Sequence, residues 1–405
     1  MRLVESTRMG LIPAYAFDEI RKKAADLRSK GVDVVDLGVG DPARPAPESV
    51  RKGCRDGLET YAAAGYPPYR GTEVFLRAAA AWMKRTLGVA VDPEREIMAT
   101  IGSKEAIVHF PLGVLNPGDF ALIPSPGYPP YTTGTLFAGA TPLTYPLDEK
   151  NGFLPDLDRV TKILANPPPG GRVRLMWTCY PNAPTGRVAD LEFYERLLAI
   201  LRKHEVILVS DEAYADFVYE GEKVTPLQVS TEGVIAFYSL SKRSNMTGYR
   251  VGWAAGDRRL VGILLRVKTN MDSGTPQFVQ AAAGAALEDE DATSGMRAEY
   301  RALRDRLVDA FGSAGCERCV PQGAIYVWQR APGGMSSAGF AGALLSPQIG
   351  VVGVPGHLIA STLEDGTNPG EGYVRFSLTC LPERLATACE RIAKHLGPLL
   401  GPSPR

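Results

Sequence analysis

The stretch Ser239-Leu240-Ser241-Lys242-Arg243-Ser244-Asn245-Met246-Thr247-Gly248-Tyr249-Arg250-Val251-Gly252 decides how the rest of this chain is read. It follows an apolar run, Val234-Ile235-Ala236-Phe237-Tyr238, of the kind that forms a buried strand. One lysine then stands between small hydroxyl residues, and an arginine follows eight residues later between Gly248 and Gly252. A lysine amine can form a Schiff base with an aldehyde. Hydroxyls and an arginine can hold a phosphate dianion by charge-assisted hydrogen bonds. Glycines let backbone come close to a bound group. The segment therefore describes a site for a covalent aldehyde cofactor that carries a phosphate, with Lys242 as anchor and Ser239 and Arg250 at the phosphate.

Outward from this segment, helical and strand-like stretches alternate from about residue 72 to 290. Helical periodicity marks 72–87, 103–115 and 188–204, and strand-like runs mark 97–101, 120–124, 174–179, 206–210, 234–239 and 250–255. That alternation predicts an α/β layer around a mainly parallel sheet. Residues 295–312 read as a long charged helix, followed by strand, helix, strand and helix to near Leu400. The expected division is a large α/β domain over 45–290 and a smaller α+β domain from 1–44 and 291–405. An amphipathic helix is expected over 15–30, with Phe17, Ile20, Ala24 and Leu27 on one face.

Composition narrows the function. The chain has 405 residues, 45% of them hydrophobic, enough for two cored domains. Lysine plus arginine equals aspartate plus glutamate, 45 each, so no basic stripe points to nucleic acid and no single-sign field to a membrane surface. Apolar runs fall short of a bilayer span, and residues 1–8 lack an apolar signal core. Six cysteines include one Cys316-x-x-Cys319 with no second pair, so neither a zinc nor a redox site is expected there. A reducing cytoplasm is the expected compartment.

Other residues complete the site. The apolar run Val206–Ser210 stops at Asp211-Glu212-Ala213-Tyr214, and open α/β sheets bind ligands beyond the carboxyl ends of their strands. Asp211 there would keep a ring nitrogen protonated, making the ring an electron sink, while Tyr214 would donate to a phenolic oxygen. Gly102-Ser103-Lys104 follows a strand and opens a helix, where free N–H groups and the helix dipole favour phosphate. Tyr128, in Pro126-Gly127-Tyr128-Pro129, would stack on the ring. Arg375, flanked by apolar residues in Gly372–Ser377, suits a substrate carboxylate. Gly38-Val39-Gly40 lacks the third glycine and the helix of a dinucleotide site.

In order along the chain, these motifs resemble the class I/II (fold type I) pyridoxal-phosphate-dependent aminotransferases. The resemblance runs from Tyr15 to about Leu396 and includes Gly40-Asp41-Pro42, Tyr66 with Gly71, Pro184-Thr185-Gly186 and Asp211-x-x-Tyr214. It implies pyridoxal 5′-phosphate held by Lys242, Asp211, Tyr214, Ser103, Lys104, Ser239, Arg250 and Tyr128. It also implies a substrate bound by Gly40, Arg375, Tyr15 and Asn182. Tyr66 matches a tyrosine that reaches the partner subunit's phosphate, which implies a homodimer with shared active sites. No metal is implied.

The family usually reads Asn-Pro-Thr-Gly where this chain has Ala183-Pro184-Thr185-Gly186, so an asparagine donor to the phenolic oxygen is missing. Tyr15–Ile20, Gly102–Ala106 and Pro126–Pro129 look most like the LL-diaminopimelate aminotransferase-like branch. That implies lysine biosynthesis, with glutamate/2-oxoglutarate as the general pair. Arg70 stands where branch members often carry an acidic residue, which favours a distal carboxylate or an acylated amine. Aspartate- or N-succinyldiaminopimelate-type transamination, and a lyase or oxidase on the same scaffold, stay open.

Overall fold

The computed structural model describes residues 4–12 and 18–400. Its strands are β1 (Val35–Asp36), β2 (Ile97–Thr100), β3 (Phe120–Ser125), β4 (Thr141–Pro146), β5 (Val173–Cys179), β6 (Ile207–Asp211), β7 (Val234–Ser239), β8 (Gly252–Gly256), β9 (Tyr326–Arg330), β10 (Val351–Val352), β11 (Val354–Pro355) and β12 (Tyr373–Ser377). Seven of them make one sheet in the order β2-β8-β7-β6-β5-β3-β4. All neighbours are parallel except β8, which runs antiparallel to both β2 and β7.

Both faces of the central strands are buried, so these are apolar over most of their length, while the edge strand β4 (Thr-Pro-Leu-Thr-Tyr-Pro) is partly exposed. Alternate residues serve different cores. Met176, Leu208, Ala236 and Tyr238 enter one core, with side chains of the helices Glu73–Leu87, Leu191–Lys203 and Gln277–Glu288. Trp177, Val209, Ile235 and Phe237 enter the other, with the helices Ser103–Val114, Pro130–Phe137 and Arg258–Lys268. Removing a side chain as buried as Phe237 would cost about 3–5 kcal/mol. Tyr238 and Trp253, paired across β7 and β8, stack at 4.8 Å and 9° and close the first core.

A separate core gathers Val35, Leu37, Phe217 and Tyr219 with the long helix Glu290–Ser313, β9, β12 and the helix Pro382–Leu400. The antiparallel sheet β11-β12-β9 lies in it, and β1 pairs with β10 in parallel. Of the N-terminal helix, Asp18–Ser29 is described; Ala24 is buried against Ile20 and Leu27, and Phe17 lies outside the described residues. Among the described residues no helix is long and apolar enough to cross a membrane.

Candidate active site

Two long cationic side chains meet on one backbone loop. β7 ends at Ser239, which caps the short turn Leu240–Arg243 by accepting from the Ser241 N–H at 3.2 Å. That turn carries Lys242, whose Nζ donates to the Gly40 carbonyl over 2.5 Å. Arg375 lies in β12 between Val354 and Trp328, and its Nη2 donates to the Gly38 carbonyl over 2.9 Å. The Thr379 hydroxyl donates to the intervening Val39 carbonyl over 3.0 Å. Three consecutive carbonyls are thus held by three side chains. Arg375 Nε is buried with no partner, a donor left for an anion. Burial, with Arg250 and Arg375 nearby, pushes Lys242 down to about 8 against the opposing charge of Asp41.

Tyr326, not singled out from the sequence, organises this corner. Its ring lies 4.6 Å from the Arg375 guanidinium and its hydroxyl 3.2 Å from that of Tyr214. A β-carbon at Gly40 would overlap Tyr326 Oη, so glycine is required there by close approach.

Asp211 ends β6 and is buried. Its Oδ2 accepts from the Tyr131 hydroxyl over 2.7 Å and its Oδ1 from the Ala213 N–H over 3.2 Å. Burial lifts it to about 6, with both hydrogen bonds opposing the rise. A buried carboxylate with so few donors suits a cationic ring nitrogen. Tyr131 is aimed by its stack on Trp177, at 4.7 Å and 16°, and Tyr128 packs edge-on against Tyr131 at 5.8 Å. Arg243, buried beside Lys242, donates to Asp216 over 2.8 Å and so ties the lysine turn to the segment after Asp211.

The third part is a cradle. Gly102 (φ 71°) precedes the helix Ser103–Val114 and supplies no side-chain cap, so first-turn N–H groups stay open. Arg250, itself left-handed at φ 57°, donates to Ile101 O over 3.3 Å and Thr247 O over 2.8 Å. A β-carbon at Gly102 would lie 2.6 Å from Arg250 Nη2, and one at Gly252 would lie 3.4 Å from the Ser103 amide nitrogen. Ser103, Arg250 and the helix N-terminus therefore crowd one small space that suits an oxyanion. Lys104, next in the helix, is exposed.

Several expectations come out differently. Asn182 does not face a ligand: its Oδ1 accepts from the Thr185 N–H and hydroxyl at 3.1 and 2.8 Å, and its Nδ2 donates to Cys179 O at 3.2 Å. Asn182 thus helps to close its own turn. Arg70 Nη1 donates to Ile97 O over 3.0 Å at the end of β2 away from Gly102, and the side chain lines a hollow with Glu73 and Glu94. Tyr66 is 87% exposed. Tyr15 lies outside the described residues. The six cysteines are free, and Cys319 Sγ accepts from the Arg330 N–H at 3.4 Å.

Known proteins resemble this chain along nearly its whole length. The model of the aminotransferase class I and II family matches residues 32–392. The chain is 40% identical over 398 residues to an LL-diaminopimelate aminotransferase of Syntrophobacter fumaroxidans, covering 97% of this chain and 99% of that protein. It is 41% identical over 392 residues to the Aquifex aeolicus protein of the same name, covering 96% and 98%. Among solved structures, a double mutant of Thermus thermophilus aspartate aminotransferase is similar at a TM-score of 0.87 and 30% identity, covering 97% of this chain and 100% of that one. An aminotransferase from Neisseria meningitidis is similar at 0.87 and 28% identity, covering 98% and 100%. The chain belongs to the class I and II aminotransferases. It is a pyridoxal-phosphate-dependent enzyme that moves amino groups.

Proposed function

We propose that this aminotransferase takes the amino group of LL-diaminopimelate and delivers it to 2-oxoglutarate, using pyridoxal phosphate anchored on Lys242. The observation that carries the site reading is the meeting of Lys242 and Arg375 on the Gly38–Gly40 loop, with Arg375 Nε left over. The donor reading rests on the relatives named LL-diaminopimelate aminotransferase at about 40% identity over nearly the whole chain.

Pyridoxal phosphate supplies an aldehyde that takes up the amino group and a ring that draws electrons from the substrate's α-carbon. The residues do the rest. Ser103, Lys104, Ser239, Arg250 and the helix N-terminus bind the phosphate. Asp211 holds a proton at the ring nitrogen, and Tyr214, steadied by Tyr326, donates to the phenolic oxygen. Tyr128 covers the ring. Arg375 and the Gly40 backbone would hold the α-carboxylate, leaving Lys242 Nζ to move the α-proton.

The residues 45–290 form the cofactor domain in this reading, and 1–44 with 291–405 the domain carrying Arg375. The exposed Tyr66 supports a homodimer in which it reaches the partner's phosphate. Likeness to aspartate aminotransferase favours aspartate as the second candidate donor. Steady-state kcat/KM with 2-oxoglutarate tests the choice across LL-diaminopimelate, its N-succinyl form and aspartate. LL-diaminopimelate leading by at least tenfold is expected. Leadership by aspartate, or ammonia release without any acceptor, contradicts the proposal.

A further inference from the structure

Behind the Gly102–Ser103 turn lies a buried ion cluster that none of the steps above uses. Lys268 ends the helix Arg258–Lys268, and its side chain is 0% exposed. Its Nζ donates to Glu105 Oε2 over 3.1 Å and to Asp272 Oδ1 and Oδ2 over 2.8 and 3.0 Å. Glu105 Oε2 also accepts from the Ile101 N–H over 2.8 Å, and Oε1 lies 3.0 Å from His109 Nδ1. Glu105, His109 and Asp272 resemble a ligand set for a metal ion, but the buried ammonium already supplies the cation. Burial alone would raise Glu105; bonds from His109, Lys268 and Ile101 outweigh it and hold the carboxyl below its ordinary range.

The cluster grips the cradle from behind. The Ile101 N–H is held by Glu105, while the Ile101 carbonyl accepts from Arg250 Nη2 at 3.3 Å. One residue is therefore pinned on both sides, immediately before Gly102. On its far side the cluster reaches the loop 272–275: Asp272 Oδ1 accepts from the Gly274 N–H over 2.7 Å, and the Thr275 hydroxyl donates to Thr100 O over 3.1 Å. Turn and loop are thus tied to one buried ammonium.

We propose that Glu105, anchored by Lys268, is a positioning residue for phosphate recognition: it fixes the Ile101–Ser103 turn so that Arg250 and the open N–H groups of the helix aim at one point. The inference rests on the reading of that turn as the phosphate cradle. Its sign separates it from plain electrostatics. Deleting a carboxylate near a phosphate site would by Coulomb's law tighten anion binding. Loss of positioning weakens it.

The test is the equilibrium affinity of the cofactor-free protein for pyridoxal phosphate and for pyridoxal, which lacks the phosphate. In Glu105→Ala the phosphate-bearing ligand is expected to bind about tenfold more weakly, ~1.4 kcal/mol, with pyridoxal unchanged. Glu105→Gln keeps one acceptor oxygen for the Ile101 N–H and is expected to lose about threefold, again for the phosphate form alone. It is the variant to read should Glu105→Ala not fold. Unchanged or tighter pyridoxal phosphate binding, or an equal loss for both ligands, overturns the proposal. A wild type that binds the two ligands equally overturns the cradle reading itself.

Discussion

Tyr131 donates its hydroxyl to Asp211 Oδ2 over 2.7 Å while its ring stacks on Trp177. The bond opposes the burial that lifts Asp211 to about 6. Tyr131→Phe keeps the stack and loses the bond. We expect Asp211 to rise further and the unfolding free energy to fall by about 1.5–3 kcal/mol, the range for a hydrogen bond to a charged group. Denaturant unfolding of the cofactor-free protein measures the second. An amino-transfer rate whose fall on the acid side begins at no higher pH than in wild type would contradict the first.

Arg375→Lys keeps the charge but loses the planar fork. A loss of about 10–100-fold in kcat/KM is expected, equivalent to one charge-assisted hydrogen bond. Discrimination against the matching amine that lacks the α-carboxylate should shrink by the same factor. If kcat/KM falls while that discrimination stays intact, Arg375 does not clamp the carboxylate.

Lys242 is held at about 8, below its ordinary 10.5, chiefly by burial. The neutral amine is the nucleophile, so capture of pyridoxal phosphate by the cofactor-free protein should speed up with pH and level off above about 8. The linkage has a definite sign. Between about 8 and 10.5 the unfolded chain binds more protons at this residue than the folded chain. Its contribution to stability therefore rises with pH through that window, and it is a cost below it. Unfolding free energies at the two ends, compared between wild type and Lys242→Met, should differ least at the alkaline end.

Glu212 gives the opposite slope. Burial lifts it from 4.5 to about 8, although the Ser210 and Thr225 hydroxyls bond to its Oε1 at 2.8 and 3.1 Å. The folded chain keeps a proton there that the unfolded chain releases, so stability falls as pH rises from 4.5 to about 8. Glu212→Gln mimics the neutral acid. It should flatten that slope and gain stability over wild type above pH 8, as followed by thermal unfolding across the range.

Ala183 packs against the core that contains Tyr326 and leaves Tyr214 as the sole side-chain donor proposed for the phenolic oxygen. Ala183→Asn adds a donor, which favours the ionised oxygen. The bound-cofactor absorbance of the variant should titrate at lower pH than that of wild type. Coincident titration curves would remove the idea that this substitution tunes the site.

What the sequence reveals depends on how local the signal is. β7 is legible at both ends because Val234–Tyr238 is an unbroken apolar run followed by hydroxyl residues. β4 escapes because Pro142 and Pro146 read as loop, yet an edge strand tolerates proline. The antiparallel course of β8 has no sequence mark, since burial on both faces makes parallel and antiparallel strands equally apolar. Lys242, Asp211 and Arg250 stand out because they interrupt apolar or glycine-rich context. Tyr131 and Tyr326 do not, lying among other aromatic and apolar residues, and only the fold brings Tyr131 to Asp211 and Tyr326 to Arg375. The bonds of Asn182 within its turn are likewise invisible to the sequence, because they depend on the fold of residues 179–185.

The most direct test is a single half-reaction. The yellow enzyme is mixed with LL-diaminopimelate alone, and the visible absorbance of its cofactor is followed. Bleaching is expected, with restoration on adding 2-oxoglutarate and no bleaching in Lys242→Ala. Absorbance that persists with LL-diaminopimelate, or bleaching that 2-oxoglutarate does not reverse while ammonia accumulates, would contradict the proposed function.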